Sequence, residues 1–410
     1  MTLPTKILLA LFVVFSFSPQ LSNAATSTTQ TASGRALEIS GWIPYWRTAT
    51  GTADALAHID SFTEINPFGY TVKNDGTVVD TAKLGEEPWT TLFAAARTKK
   101  VKIIPTVMWS NTSAMHSILS KSKTRIALED AIVKVVKDNN FDGIDIDFEG
   151  KDADDKDYFS TFLKGLYTRL GKKSLMCTIE ARTPVEDRYD STPPKDAYRY
   201  ANDYVAINKY CDRVRLMTYD QWTVDLKLTE AHPDPYIPVS DPVWVERVID
   251  LAAKTISKKK LVIGIPTYGY EFKVTKLKEQ GYRYDFQWAF NPRYALELAP
   301  QFGLSPTRNP AGELSFMYVP TTTPKSTADT TTNTQEAVQA ITFGVTSASG
   351  TPSSITTTQP FHIVWWSDAQ AIEDKVKLAQ RLGVKGIAIF KIDGGEDPAM
   401  WSVLPKRVVR

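Results

Sequence analysis

The sequence predicts one closed α/β barrel of the (β/α)8, or TIM, class, with a small α+β insertion after the seventh strand. Three observations predict it. Strand-like and helix-like segments alternate eight times, the pattern of a parallel sheet whose crossovers are helices. No glycine-rich phosphate turn follows an early strand, so the usual mark of a doubly wound open sheet is missing. The 410 residues, 42% hydrophobic and 11% aromatic, supply a large core, and one such barrel absorbs most of that length.

The elements follow in chain order. Lys6 precedes an uncharged apolar run, Ile7 to Phe17, and Ser22-Asn23-Ala24 offers small residues for cleavage before Ala25. Residues 1–24 therefore read as a secretory signal peptide, and the mature protein is expected outside the cytoplasm. The run is too short to span a bilayer comfortably; an uncleaved anchor is the alternative. Residues 25–36 are Thr/Ser-rich and read as a flexible lead-in. Barrel strands one to seven are assigned to residues 37–272. Leu37–Trp46 opens as the first strand, Phe62–Asn66 is the second and Lys102–Met108 the third. Leu128, Ala131, Ile132, Val135 and Val136 recur at helical spacing, and Asn139-Asn140 ends that helix. The fourth strand is the acidic stretch Phe141–Glu149. A helix with Phe159, Phe162, Leu163, Leu166 and Leu170 on one stripe leads to the fifth strand, Leu175–Ile179. Arg213–Asp220 is the sixth. Pro242 suits the first turn of a helix carrying Val245, Val248, Ile249 and Ala252, before the seventh strand, Leu261–Pro266.

Residues 273–360 interrupt the alternation. They hold a turn-and-aromatic region (Tyr282, Tyr284, Phe286, Trp288), a strand-like run at Leu314–Val319, and a Thr-rich stretch. They read as an inserted α+β unit. Residues 361–410 complete the barrel with a helix carrying Ile372, Val376, Ala379 and Leu382, then the eighth strand, Gly386–Phe390.

The formal net charge is only +2, with both signs spread along the chain, so no nucleic-acid partner and no membrane surface is indicated after signal cleavage. The four histidines are scattered without metal-ligand spacing, and no metal or organic cofactor is expected. Cys177 and Cys211 fall in or beside strands; export would permit a bridge between them, but two cysteines in so large a chain form no disulfide framework, and two buried free thiols are the expectation over a bridge.

Chemistry concentrates in the fourth strand. Asp145, Asp147 and Glu149 alternate with Ile144, Ile146 and Phe148, so the acids share one face of the strand and the apolar residues the other. Same-face neighbours lie roughly 7 Å apart. Repulsion and desolvation should keep at least one proton on such a row, and a carboxylic acid protonated near neutral pH is a general acid. Two plainer explanations compete. The row could be the wet face of an ordinary strand. It could also open a calcium loop, although its intervening residues are bulky and its twelfth position is Lys156 in place of a bidentate Glu.

With these residues in view, the chain resembles family 18 glycoside hydrolases, the chitinase-like barrels. Their Asp-x-x-Asp-x-Asp-x-Glu strand is matched by Asp142, Asp145, Asp147 and Glu149. Their Met-x-Tyr-Asp motif ending strand six is matched by Met217-Thr218-Tyr219-Asp220. Tyr45-Trp46, Asn66-Pro67-Phe68, Gly264–Tyr270 and Gly394–Pro398 resemble the bacterial branch that includes spore-cortex and cell-wall hydrolases. One position departs: many members end strand eight with a Trp under the reacting sugar, and here it is Phe390.

The resemblance implies a mechanism. Ordinary retaining glycosidases use a carboxylate nucleophile; family 18 uses the acetamido group of the substrate. Glu149 would protonate the glycosidic oxygen and later deprotonate water. Asp147 would orient the acetamido N–H, and Asp145 would share the buried proton. Tyr219 would bond the acetamido oxygen, with Asp220 and Met217 at the sugar. Tyr45, Trp46, Phe68, Trp109, Trp222, Tyr268, Trp365, Trp366 and Phe390 are candidates for stacking on sugar rings, against a plain core-packing role for each. The implied substrate is a β-1,4-linked N-acetylglucosamine glycan, chitin or peptidoglycan, and the implied form a secreted monomer. A non-catalytic, lectin-like relative on the same fold is the alternative. Such relatives usually lose the terminal acid of the strand, and Glu149 is present.

Overall fold

The computed structural model describes residues 37–277, 281–320 and 360–407. The expected signal peptide, lead-in and Thr-rich stretch lie outside the described residues. Eight parallel strands close on themselves. They are Glu38–Pro44 (β1), Glu64–Val72 (β2), a broken third strand, Gly143–Phe148 (β6), Ser174–Glu180 (β7), Arg213–Met217 (β8), Leu261–Pro266 (β9) and Gly386–Phe390 (β15). The third strand consists of Lys102–Ile103 (β4) and Thr106–Trp109 (β5), interrupted by Ile104-Pro105; a proline cannot donate to the ladder. Val78–Asp80 (β3) folds back antiparallel on the end of β2. Pairing of β1 with both β2 and β15 shuts the barrel.

The periodicities resolve as expected. Phe159, Phe162, Leu163, Leu166 and Leu170 are the buried face of helix Lys156–Leu170. Helix Pro242–Ala253 begins with Pro242 behind an Asp241 cap, whose carboxylate accepts from the Val243 N–H at 2.6 Å. Ile144, Ile146 and Phe148 of β6 point outward into this helical layer, where Phe148 stacks on Phe162. Burying such a ring contributes about 1.5–3 kcal/mol. The outward face thus anchors β6 and leaves its acids facing the barrel interior.

After β9 the chain builds a five-stranded antiparallel sheet: Gly269–Lys276 (β10), Tyr282–Phe290 (β11), Thr307–Arg308 (β12), Leu314–Tyr318 (β13) and Phe361–Trp366 (β14), in the order β11-β10-β14-β13-β12. Its edges lie outside the expected span of 273–360. β14 does not resume the barrel but is the central strand of the insertion, between β10 and β13. Gly269 opens the sheet against Trp366 because nothing larger fits; a Cβ there would lie 2.3 Å from that of Trp366.

The cysteines depart from expectation. Cys177 and Cys211 form a disulfide with Cα atoms 5.9 Å apart. Helix Tyr204–Tyr210 delivers Cys211 to the start of β8, whose Val214 pairs with Cys177 of β7. That register places the two Cβ atoms within bridging range. No helix among the described residues is long and apolar enough to cross a membrane.

Candidate active site

The carboxyl ends of the barrel strands surround a cleft of about 620 Å³. β6 projects its acids toward it in a depth series. Asp145 is the deepest and is fully buried. Its carboxylate accepts from Trp42 Nε1 at 3.2 Å, Thr106 Oγ1 at 2.9 Å and Thr178 Oγ1 at 2.9 Å. Arg215 Nη1 lies 2.9 Å from Asp145 Oδ2, and the same guanidinium pairs with Glu64. Asp145 is therefore bound by residues of four other strands, and Arg215 supplies its counter-charge. This ties it more firmly than the expected sharing of a proton along the row.

Asp147 and Glu149 line the cleft, and their carboxyl groups hydrogen-bond each other. Burial, then the charges of Glu149 and Asp145, hold Asp147 well above the usual carboxylate range. Burial, then the neighbouring Glu180 carboxylate, push Glu149 up to about 8. The pair keeps a proton at neutral pH, at the mouth of the cleft. An extended strand carries these acids inward one by one instead of wrapping them around a common centre, so the calcium-loop explanation fails.

Glu180, the last residue of β7, escaped the sequence reading. Its carboxylate accepts from the Gly150 N–H at 3.1 Å and Asn202 Nδ2 at 2.6 Å, with Lys151 Nζ at 3.5 Å. Burial pushes its pKa up, but Lys151 and these donors hold it below the usual value. Its place at the carboxyl end of a barrel strand was the available signal.

Tyr219 and Asp220 follow β8. The Tyr219 ring stacks on Phe390, 5.2 Å between centroids, and lies over Gly264, where a Cβ would come within 2.9 Å of it. Burial and the nearby acids raise its pKa well above the ordinary value, so it stays a hydroxyl donor. Asp220 accepts from the hydroxyls of Tyr268, at 2.5 Å, and Tyr270. Asp220 and Trp222 sit at positive φ, +56° and +46°, which L-residues rarely adopt. The backbone N–H groups of Gln221 and Trp222 bond Val239 and Pro238, which fixes this turn.

The structure sorts the expected aromatic and loop residues. Trp46, Phe68, Met217, Trp222, Tyr268 and Phe390 line the cleft. Tyr45 is outside its wall and packs edge-on against Trp46 at 4.8 Å. Trp109 is buried against Phe148. Trp365 and Trp366 are each 1% exposed inside the inserted sheet and keep no ring face free for a sugar, so both belong to the core. Trp42, unmarked in the sequence, forms part of the floor beside Phe390, 5.9 Å away. Arg182 and Arg188 also line the cleft, from a loop without periodicity. No group of three or more His, Cys, Asp or Glu side chains is arranged to hold a metal among the described residues.

Comparison with known proteins agrees with this geometry. The chain is 22% identical over 289 residues to the uncharacterized glycosylase YvbX of Bacillus subtilis, covering 70% of this chain and 68% of that one. The spore cortex-lytic enzyme SleL of Bacillus megaterium superposes with a TM-score of 0.65 at 22% identity, over 92% of this chain and 77% of that one. A chitinase from Chromobacterium violaceum gives 0.64 at 19% identity, over 90% and 98%. These two structural likenesses establish the fold. The description "Glycosyl hydrolases family 18" matches residues 38–395, which span the barrel, the acidic strand and the insertion, and the chain belongs to that family.

Proposed function

We propose that this hydrolase cleaves β-1,4-linked N-acetylglucosamine glycans outside the cytoplasm, with retention, using the substrate's acetamido oxygen as nucleophile. The observation that carries the reading is the hydrogen-bonded Asp147–Glu149 pair, holding a proton at the cleft mouth while Arg215 satisfies Asp145 beneath it. Glu149 gives its proton to the glycosidic oxygen as that bond to the anomeric carbon breaks. The acetamido carbonyl oxygen bonds the anomeric carbon from the other face and forms an oxazolinium ion. Asp147 accepts the acetamido N–H and stabilises the positive charge that develops there. Tyr219 donates to the acetamido oxygen. Glu149, now ionised, takes a proton from water as that water opens the ring. Trp42 and Phe390 form an apolar floor for the reacting sugar. The Cys177–Cys211 bridge supports export, since such bonds persist in oxidising compartments.

Turnover of chitooligosaccharides and purified peptidoglycan, with wild type beside Glu149→Gln, tests the reading. Wild type should release product from at least one polymer, and the variant should lose about 10²–10⁴-fold in rate. A thiazoline analogue of N-acetylglucosamine should inhibit. Binding without product release by wild type would make the protein a lectin. Efficient cleavage of de-N-acetylated polymer would refute the acetamido mechanism.

A further inference from the structure

The mechanism leaves one set of charges in the cleft unused. The segment 181–203, between β7 and helix Tyr204–Tyr210, brings Arg182 and Arg188 into the wall. The Arg182 guanidinium is clasped between the rings of Tyr200 and Tyr204, 3.8 Å from each centroid. Arg188 Nη2 donates to the Tyr200 hydroxyl at 2.7 Å and to the Ala197 carbonyl at 3.2 Å. Tyr200 thus fixes both cations side by side. The nearby acids are engaged elsewhere: Asp187 with Lys227, Glu186 with the Tyr198 hydroxyl, and Glu180 with Lys151 and Asn202. Among the described residues neither guanidinium has a carboxylate within ion-pair distance. Ring stacking alone would explain one arginine as a loop anchor. It does not explain a second like charge held beside it, whose repulsion an anion would relieve.

A guanidinium is the side chain best matched to a carboxylate, through paired N–H donors. Glu180, held ionised on the same wall, repels an anion from the catalytic end and favours the arginine end. We propose that the cleft takes a glycan carrying a carboxylate on the sugar next to the cleaved N-acetylglucosamine unit, and that Arg182 and Arg188 receive it. This rests on the hydrolase reading above and chooses within it. A neutral N-acetylglucosamine homopolymer offers no such group. An alternating polymer with muramic acid does, either as the lactyl ether carboxylate of a peptide-free strand or as a carboxylate of an attached stem peptide.

The test compares kcat/KM on three oligosaccharides of equal length, at low and high salt: a chitooligosaccharide, a peptide-free alternating N-acetylglucosaminyl–N-acetylmuramyl chain, and the same chain with stem peptides. Wild type should prefer an acidic chain, and salt should erode that preference. In Arg188→Gln the acidic-to-neutral ratio should fall about tenfold, the value of a lost charge-assisted bond, mainly through KM. Arg188→Lys should recover part of it. Preference for the peptide-free chain identifies the ether carboxylate; preference for the peptide-bearing chain identifies the stem. A ratio unmoved by salt and by Arg188→Gln overturns the anion site and leaves the hydrolase reading standing. Failure of wild type to cleave any of the three overturns both. The salt comparison needs no variant, so a misfolded Arg188→Gln would not shelter the proposal.

Discussion

Glu149 shows how one side chain trades stability for chemistry. Burial and Glu180 raise its folded pKa to about 8, above the ordinary carboxyl value of 4.5. A raised folded pKa means that the folded state binds the proton more tightly than the unfolded state does. The group's stabilising contribution is therefore complete below pH 4.5 and is lost as pH rises through about 8. Glu149→Gln, which cannot ionise, should accordingly raise Tm relative to wild type, by little at pH 5 and by progressively more toward pH 9. Thermal melts across that range check it, and a constant offset at all pH values would refute the assigned shift. The same proton sets the rate: kcat/KM should fall on the alkaline side as the acid is lost, with an apparent pKa near 8 that belongs to the Asp147–Glu149 pair. A pH–rate profile with no alkaline limb would place the proton donor elsewhere.

At the scale of elements, β7 and β8 are joined by the covalent bridge as well as by their ladder. The bridge closes a segment with a sequence separation of 34 residues. Loop-closure entropy puts the stabilisation at roughly 3–4 kcal/mol. Cys177→Ala/Cys211→Ala should lower the unfolding free energy by about that amount, read by urea titration, and reductant should then have no further effect on the variant. A loss under about 1 kcal/mol would mean that packing of the adjacent helix already orders this loop in the unfolded ensemble. The strands themselves were legible because each carries its own alternation, as at Ile144, Ile146 and Phe148. The bridge was not, because it depends on the register of Cys177 against Val214, which no local pattern encodes. The insertion's edges failed for the same reason: Gly269 and Trp366 pair across almost the whole inserted segment. Trp365 and Trp366 look like stacking residues from their type and place in the chain, and only the sheet shows both their faces covered. Glu149, Asp147, Tyr219 and Asp220 were legible through fixed spacing. Glu180, Arg182 and Arg188 come from a strand end and a loop where spacing carries no signal.

The whole barrel turns on a charge cluster at its axis. Glu64 on β2, Asp145 on β6 and Arg215 on β8 meet in the interior, at 6%, 0% and 1% exposure. Trp42 of β1, Thr106 of β5 and Thr178 of β7 add donors to Asp145, so six of the eight strands converge on one polar centre. An apolar filling of the same shape would hold a barrel together at least as well, because desolvating ions costs about what their attraction returns. What the charges add is direction: they fix Asp145 and β6 so that Asp147 and Glu149 arrive at the cleft in register. Arg215→Met should therefore destabilise by about 3–5 kcal/mol at neutral pH, by leaving two buried carboxylates without a counter-charge. Adding Glu64→Gln should restore part of the loss, since only Asp145 would then remain uncompensated. Urea denaturation of the single and double variants reads both effects. A deficit that Glu64→Gln does not reduce would show that Arg215 matters for its bulk instead of its charge, and the electrostatic account of how the barrel aims its acids would fail with it.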